Sequence, residues 1–231
     1  MIWNWLTVYG PQLLAGFGIT LLVWLVSVVA GFCLAVPLAV AQIKGGWVSR
    51  NLSRGFCATF RGTPLLLQLF FLYYGVGSLF AVSPALRVAA PWLVRLDAIW
   101  YVLLAFTLNF MAHEAEVLRG GLMAVPRGEL ESAHSFGFSN FQVLRRVWLP
   151  SAVLRILPVL ASDVIAQLKS TPIAFTVPVV DLMAVAQKVM QDRLLIYEPL
   201  LFVAAVYVVT SFAVLRLWAI VERRVPSNWQ A

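Results

Sequence analysis

The side chains that can do chemistry in this sequence are few, and most of them sit where chemistry is expensive. Asp163 lies inside a long apolar stretch, Asn109 inside another, and Ser170 and Thr171 directly precede Pro172. An ionisable group at bilayer depth costs at least about 2.5 to 3.5 kcal/mol on insertion scales. Asp163 therefore has two readings: an anionic contact for the ammonium or side-chain cation of a ligand, or a structural pair with Lys169 or Arg155. Asn109 offers a donor and an acceptor, which suits an α-carboxylate, an α-amine or a hydrogen bond between helices. Ser170 and Thr171 can present hydroxyls and freed backbone groups to a cavity, because irregular backbone at membrane depth is tolerated mainly there; Pro172 and Pro178 can equally just end a helix. Glu114 and Glu116 are expected to pair with Arg119. Enzymatic machinery is not visible. The two histidines, His113 and His134, are far apart and have no clustered cysteines to complete a metal site. No G-x-S-x-G, H-E-x-x-H or G-x-x-x-x-G-K-[ST] stretch occurs, so catalytic residues, a metal site and ATP hydrolysis by the chain itself are not expected.

The elements that must hold these residues are membrane helices. Of 231 residues, 61% are hydrophobic and only 12% charged, with a mean hydropathy of +0.88, against roughly half and a quarter in a soluble domain. Five apolar stretches of spanning length predict an all-α integral membrane protein forming one transmembrane domain. The spans are expected at about 13–42, 56–80, 97–120, 150–168 and 198–220, joined between the third and fourth by a polar loop at 126–149. Thr171 to Met190 is expected to be re-entrant or short and helical, since its Thr-Pro-Ile-Ala-Phe-Thr-Val-Pro opening breaks a helix. Lys44, Arg50, Arg54, Arg61, Arg119, Arg127, Arg145, Arg146, Arg155, Arg223 and Arg224 fall on one face, whereas Arg87, Arg95, Lys169, Lys188 and Arg193 fall on the other. The positive-inside bias makes the first face cytoplasmic, with the N-terminus outside and the C-terminus inside. The net charge of +7 then reflects cytoplasmic loops, and nucleic acid is not an expected partner. Cys33 and Cys57 read as small core hydrophobes. Trp3, Trp5, Trp92, Trp148 and Trp218 read as interfacial anchors. No basic segment precedes the first apolar stretch, so a removable signal peptide is not expected.

Local rules divide the polar loop into two short helices. Pro126 with Glu129 and Glu131 makes a helix start. Gly137 can take the left-handed conformation that ends one. Ser139 and Gln142 have the spacing of a capping box that starts the next. Such a knob, anchored to two spans, suits a rigid lever that a cytoplasmic partner grips.

The spacing from Glu131, Ser132 and Ala133 through Gly137 to Val147, Leu149 and Pro150 resembles the EAA loop of ABC importer permeases. Ser132 stands where that motif has its middle alanine, and Val147 where it has isoleucine. Arg61-Gly62-Thr63-Pro64-Leu65-Leu66 with Gln68 and Tyr73-Tyr74-Gly75, then Leu108-Asn109 through Glu116 to Arg119-Gly120-Gly121, and Leu168-Lys169-Ser170-Thr171 resemble further segments of the polar amino acid branch. The chain is similar to the M-type subunits of the histidine, arginine and opine systems. This resemblance implies the transmembrane fold of a type I ABC importer in the bacterial inner membrane, with Glu129, Glu131, Ser132, Ala133, Gly137, Phe138, Val147, Leu149 and Pro150 coupling it to a cytoplasmic ABC ATPase dimer. It also implies a second permease subunit, a paralogue or a second copy, and an extracytoplasmic solute-binding protein. The substrate would be a polar amino acid, basic ones foremost, or an opine. No cofactor is expected on this chain; ATP and Mg would act through the ATPase. Family members often carry an acid at the place of Asp163, which tilts that residue toward substrate contact; Asn109, Ser170 and Thr171 join it in the expected substrate site on their own chemistry. A secondary transporter needing no ATPase is the alternative, but no internal repeat is visible.

Overall fold

The computed structural model describes residues 4–76, 78, 82 and 96–223. Among these residues the chain is helical and contains no strand. The first helix, α1, runs over Asn4–Lys44 without a break despite Pro11 and Pro37. At 1.5 Å per residue it is about 60 Å long, twice the hydrocarbon thickness of about 30 Å. It starts well before the span expected at 13–42. The cause is tertiary: Trp5, Tyr9 and Leu13 pack on Leu182, Val185, Ala186 and Val189 of a later helix, so the overhanging turns are held by protein.

A short turn leads to α2, Trp47–Gly62, which is amphipathic rather than spanning and buries Ser53 and Cys57. Thr63 is extended (φ −116°, ψ 141°) because Pro64 disfavours the helical region for the residue before it. A new helix, α3, begins at Leu65–Phe70 and continues as a π turn over Phe71–Val76. The two segments meet at a bend of 106°. The stretch expected as one span at 56–80 is thus broken at Thr63: 56–62 close α2, and Leu65 opens α3. Positions 77 and 79–80 of that stretch, together with Pro84, Arg87, Arg95, Trp3, Trp92 and Arg224, lie outside the described residues.

Helix α4, Ala98–Ala124, is the hub of the fold, packed against α1, α2, α3 and the fourth span. A short helix α5, Arg127–Ser135, follows. Then α6, Asn140–Val143, passes through a π turn at Leu144–Trp148 into α7, Leu149–Ser170. The fourth span thus begins ten residues before the expected Pro150, as one run from Asn140 to Ser170. Proline is tolerated in the first turn of a segment. Here Leu149 donates its N–H five residues back to the Leu144 carbonyl, which is the π spacing. Close approach of α4 to α7 depends on Gly121, where a Cβ would strike the Ile156 side chain and the Ala152 carbonyl.

After Ser170 a 3-10 turn covers Thr171–Thr176, an extended link follows, and α8 (Leu182–Arg193) precedes α9 (Tyr197–Glu222). The 12-residue α8 is about 18 Å long, too short to cross, in keeping with the broken segment expected there. Among the described residues four helices are long and apolar enough to span, or five if the bent pair α2–α3 counts as one broken span. Polar ties brace the middle of the bundle. Trp24 donates to the Val164 carbonyl at 2.8 Å, and Gln167 donates to Ser27 Oγ (3.0 Å) and the Phe106 carbonyl (3.2 Å). Two expectations fail on packing. Trp5 and Trp148 are buried in protein rather than anchored at an interface, and Cys33 is exposed whereas Cys57 is buried.

Candidate functional site

The loop at 126–149 folds as its local signals require. Val125 and Pro126 are extended between α4 and α5, and Pro126 sits where a missing N–H costs nothing. Gly137 takes φ +82°. Around it the Phe138 N–H reaches the Ala133 carbonyl (3.2 Å) and the Gly137 N–H reaches the His134 carbonyl (2.9 Å). That pair of bonds is a Schellman turn, which closes α5 and reverses the chain. The capping box is complete: Ser139 Oγ accepts from the Gln142 N–H, and Gln142 Oε1 accepts from the Ser139 N–H at 2.8 Å. One point differs from expectation. The second short helix is not free-standing but is the leading end of the fourth span.

This knob is tied to the bundle at three points. Glu129 accepts from Ser151 Oγ (3.1 Å) and from Arg155 (3.2 Å), fastening the first turn of α5 to α7. The Trp148 indole donates to the Leu122 carbonyl at 2.8 Å, joining the π turn to the end of α4. Lys44, at the end of α1, stands 4.5 Å over the Trp148 ring, a cation–π distance. Between these ties Ala133 is buried, Val147 and Leu149 are half-buried, and Glu131, Ser132 and Pro150 are exposed. Phe138 is half-buried, with the Arg146 guanidinium 5.8 Å above its ring. Phe136 (83% exposed) and Phe141 (68%) project from the tip. An exposed aromatic pair on a rigid stalk is built for contact.

Deeper in the bundle, the residues expected to gather do not all meet. Asp163 is half-buried on α7, and its neighbour across the interface is not a cation but Glu114 of α4. Arg155, one of its two expected partners, serves Glu129 instead. Glu114 is fully buried (0% exposed); its carboxyl meets that of Asp163, and no other described residue hydrogen-bonds to either oxygen. Asn109 donates to Gln68 Oε1 (3.2 Å) and toward the Phe60 carbonyl (3.4 Å), so it joins α4 to α3 and α2. Ser170 donates back to the Ala166 carbonyl. Thr171 is buried, bonded to the Leu168 carbonyl and to the Tyr207 hydroxyl at 2.8 Å.

The sequence reading missed Glu114 by pairing it with Arg119. Helical spacing contained the correct answer: Arg119 lies three residues after Glu116 but five after Glu114, and only the former separation faces it. Arg119 indeed holds Glu116 at 2.9 Å, with Arg61 of α2 at 3.9 Å on the same oxygen. Gln68 and Tyr207 also went unread as polar partners; nothing in local spacing signals contacts made so far along the chain.

Residues 27–226 match the family described as binding-protein-dependent transport system inner membrane component. The chain is 33% identical over 210 residues to the octopine transport system permease protein OccM of Rhizobium meliloti, covering 91% of this chain and 84% of that one. It is 35% identical over 209 residues to the histidine/lysine/arginine/ornithine transport system permease protein HisM of Salmonella typhimurium, covering 90% and 88%. Among solved structures, an amino acid ABC transporter crystallised with histidines superposes with a TM-score of 0.80 at 27% identity, over 95% of this chain and 97% of that one. The methionine transporter MetNI in an inward-facing form gives 0.70 at 18% identity, over 93% and 96%, a likeness of fold.

Proposed function

The chain belongs to the binding-protein-dependent transport system inner membrane component family, and on that premise we infer that it is the permease subunit of an ATP-driven importer for polar amino acids, basic ones foremost, or opines. The observation that carries the reading is the knob at 127–148: two helical ends set by a Schellman turn and a capping box, tethered to α4 and α7, with an aromatic tip left over. A lever of that build transmits displacement, and a secondary transporter has no use for it. Names of relatives such as HisM and OccM support the substrate class.

In this reading the ATPase is a separate cytoplasmic pair that holds ATP and Mg. Glu129, Glu131, Ser132, Ala133, Gly137, Phe138, Val147, Leu149 and Pro150 form or support the surface it grips. A second permease subunit completes the pathway, and an extracytoplasmic binding protein delivers the substrate. The basic residues put the knob in the cytoplasm, with the N-terminus outside and the C-terminus inside. Movement of the knob reaches the membrane through the contacts of Glu129 with α7 and of Trp148 with α4, the two helices that carry Asp163 and Glu114. We assign Asp163 as the contact for the substrate cation: a carboxylate beside a second acid gains most from an incoming positive charge. Asn109 positions α4 against α3, and Ser170 and Thr171 hold the break that follows α7.

The test is retention of the ATPase. A tagged chain co-expressed with its ATPase should bring that subunit through purification, and Phe136→Asp with Phe141→Asp should lower the yield of ATPase severalfold while the permease stays membrane-inserted. Equal retention by the variant would contradict the assignment of this tip.

A further inference from the structure

A cleft of about 420 Å³ opens where the ends of α1 and α4 meet α2 and the start of α5. Four arginines line it, Arg50, Arg54, Arg119 and Arg127, beside Gln42 and Trp148, with no acidic side chain among the lining residues. Arg119 is occupied by Glu116. Arg50 gives one Nη to the Gly45 carbonyl (3.1 Å), while its Nε is buried without an acceptor among the described residues. Arg54 and Arg127 form no ion pair with any described residue. Guanidiniums gathered around one space repel unless an anion joins them, and their planar forks match phosphate oxygens in pairs.

The helix that supplies two of them points to the source of the anion. On α2, Trp47 (79% exposed), Val48 and Leu52 are exposed apolar residues, within a turn of Arg50 and Arg54. Apolar and basic residues side by side on a short helix are the composition of one lying in the membrane interface. We propose that this cleft binds the phosphate headgroup of an anionic phospholipid, its acyl chains lying along Trp47, Val48 and Leu52. A bound lipid would bridge α2 to Arg127 in the first turn of α5, bracing the base of the knob. The proposal rests on the cytoplasmic placing of that knob given above.

Native mass spectrometry of the detergent-purified permease–ATPase complex tests it, titrated with phosphatidylglycerol, phosphatidylcholine and inorganic phosphate. Each arginine near an anionic headgroup contributes on the order of fivefold in affinity, so R54A/R127A should weaken phosphatidylglycerol binding about 25-fold. The charge-conserving R54K/R127K should fall between it and the parent, and phosphatidylcholine should not be retained. Unchanged phosphatidylglycerol binding in R54A/R127A overturns the site. Binding of inorganic phosphate alone overturns the lipid source, and loss of the ATPase from R54A/R127A with lipid binding intact assigns the arginines to subunit docking instead. ATP-driven uptake by the parent complex in the same preparations reads the permease function separately.

Discussion

Glu129→Ala should release the first turn of α5 from the fourth span, and the size of the effect follows from two contacts. The carboxylate takes hydrogen bonds from Ser151 at 3.1 Å and Arg155 at 3.2 Å. A hydrogen bond to a buried charge is worth about 1.5 to 3 kcal/mol net, but the Glu129 and Arg155 side chains are 30% and 18% exposed. Solvent screening lowers each bond to about 1 kcal/mol, so the pair contributes about 2 kcal/mol to docking of α5. That is about a 30-fold change in the docked-to-undocked ratio. Hydrogen exchange on the assembled complex reads it directly: amides in 127–135 should lose about 30-fold in protection, while those in the middle of α4 remain unchanged. Glu129→Gln keeps an acceptor for Ser151 and should lose about fivefold. Protection within threefold of the parent in Glu129→Ala would refute the tether, and equal losses in α4 would show general destabilisation rather than release of the knob.

Three further outcomes follow from the site. Gly137→Val forces a β-branched residue into φ +82°, a strain of about 1 to 2 kcal/mol, and should leave ATP hydrolysis running while transport falls; a parental ratio of substrate moved to ATP consumed would contradict it. Asp163→Asn should reduce uptake of cationic substrates more than neutral ones in competition assays, and equal effects would return Asp163 to a structural role. Glu114→Gln removes one of two neighbouring acids from a site with no described partner but the other acid, so the complex should melt at the same or a higher temperature. A fall of several degrees would mean that Glu114 holds a partner not yet seen.

What the sequence made legible was what local chemistry decides. Pro126, Gly137 and the Ser139–Gln142 pair act within a turn or two of chain, and each does in the structure what its type and spacing predict. Hydropathy located α9 to within two residues at each end and α4 to within four, because long apolar runs have one reading in a membrane. It failed at Pro64, where Phe56 and Phe60 continue the apolar composition on α2 up to a bend of 106°, and at Pro150, where a π turn carries the helix through a residue read as its start. The acidic pair was not legible for another reason. Glu114 and Asp163 are 49 positions apart, and only the packing of α4 on α7, permitted by Gly121, brings them together.

The most direct measurement is uptake into inverted-free, sealed vesicles carrying the assembled complex, with proton and sodium gradients collapsed by ionophores, ATP supplied inside and binding protein outside. Labelled arginine or octopine should accumulate steadily, and accumulation should stop when ATP is withdrawn. Loss of uptake when the gradients collapse, despite ATP, would contradict it.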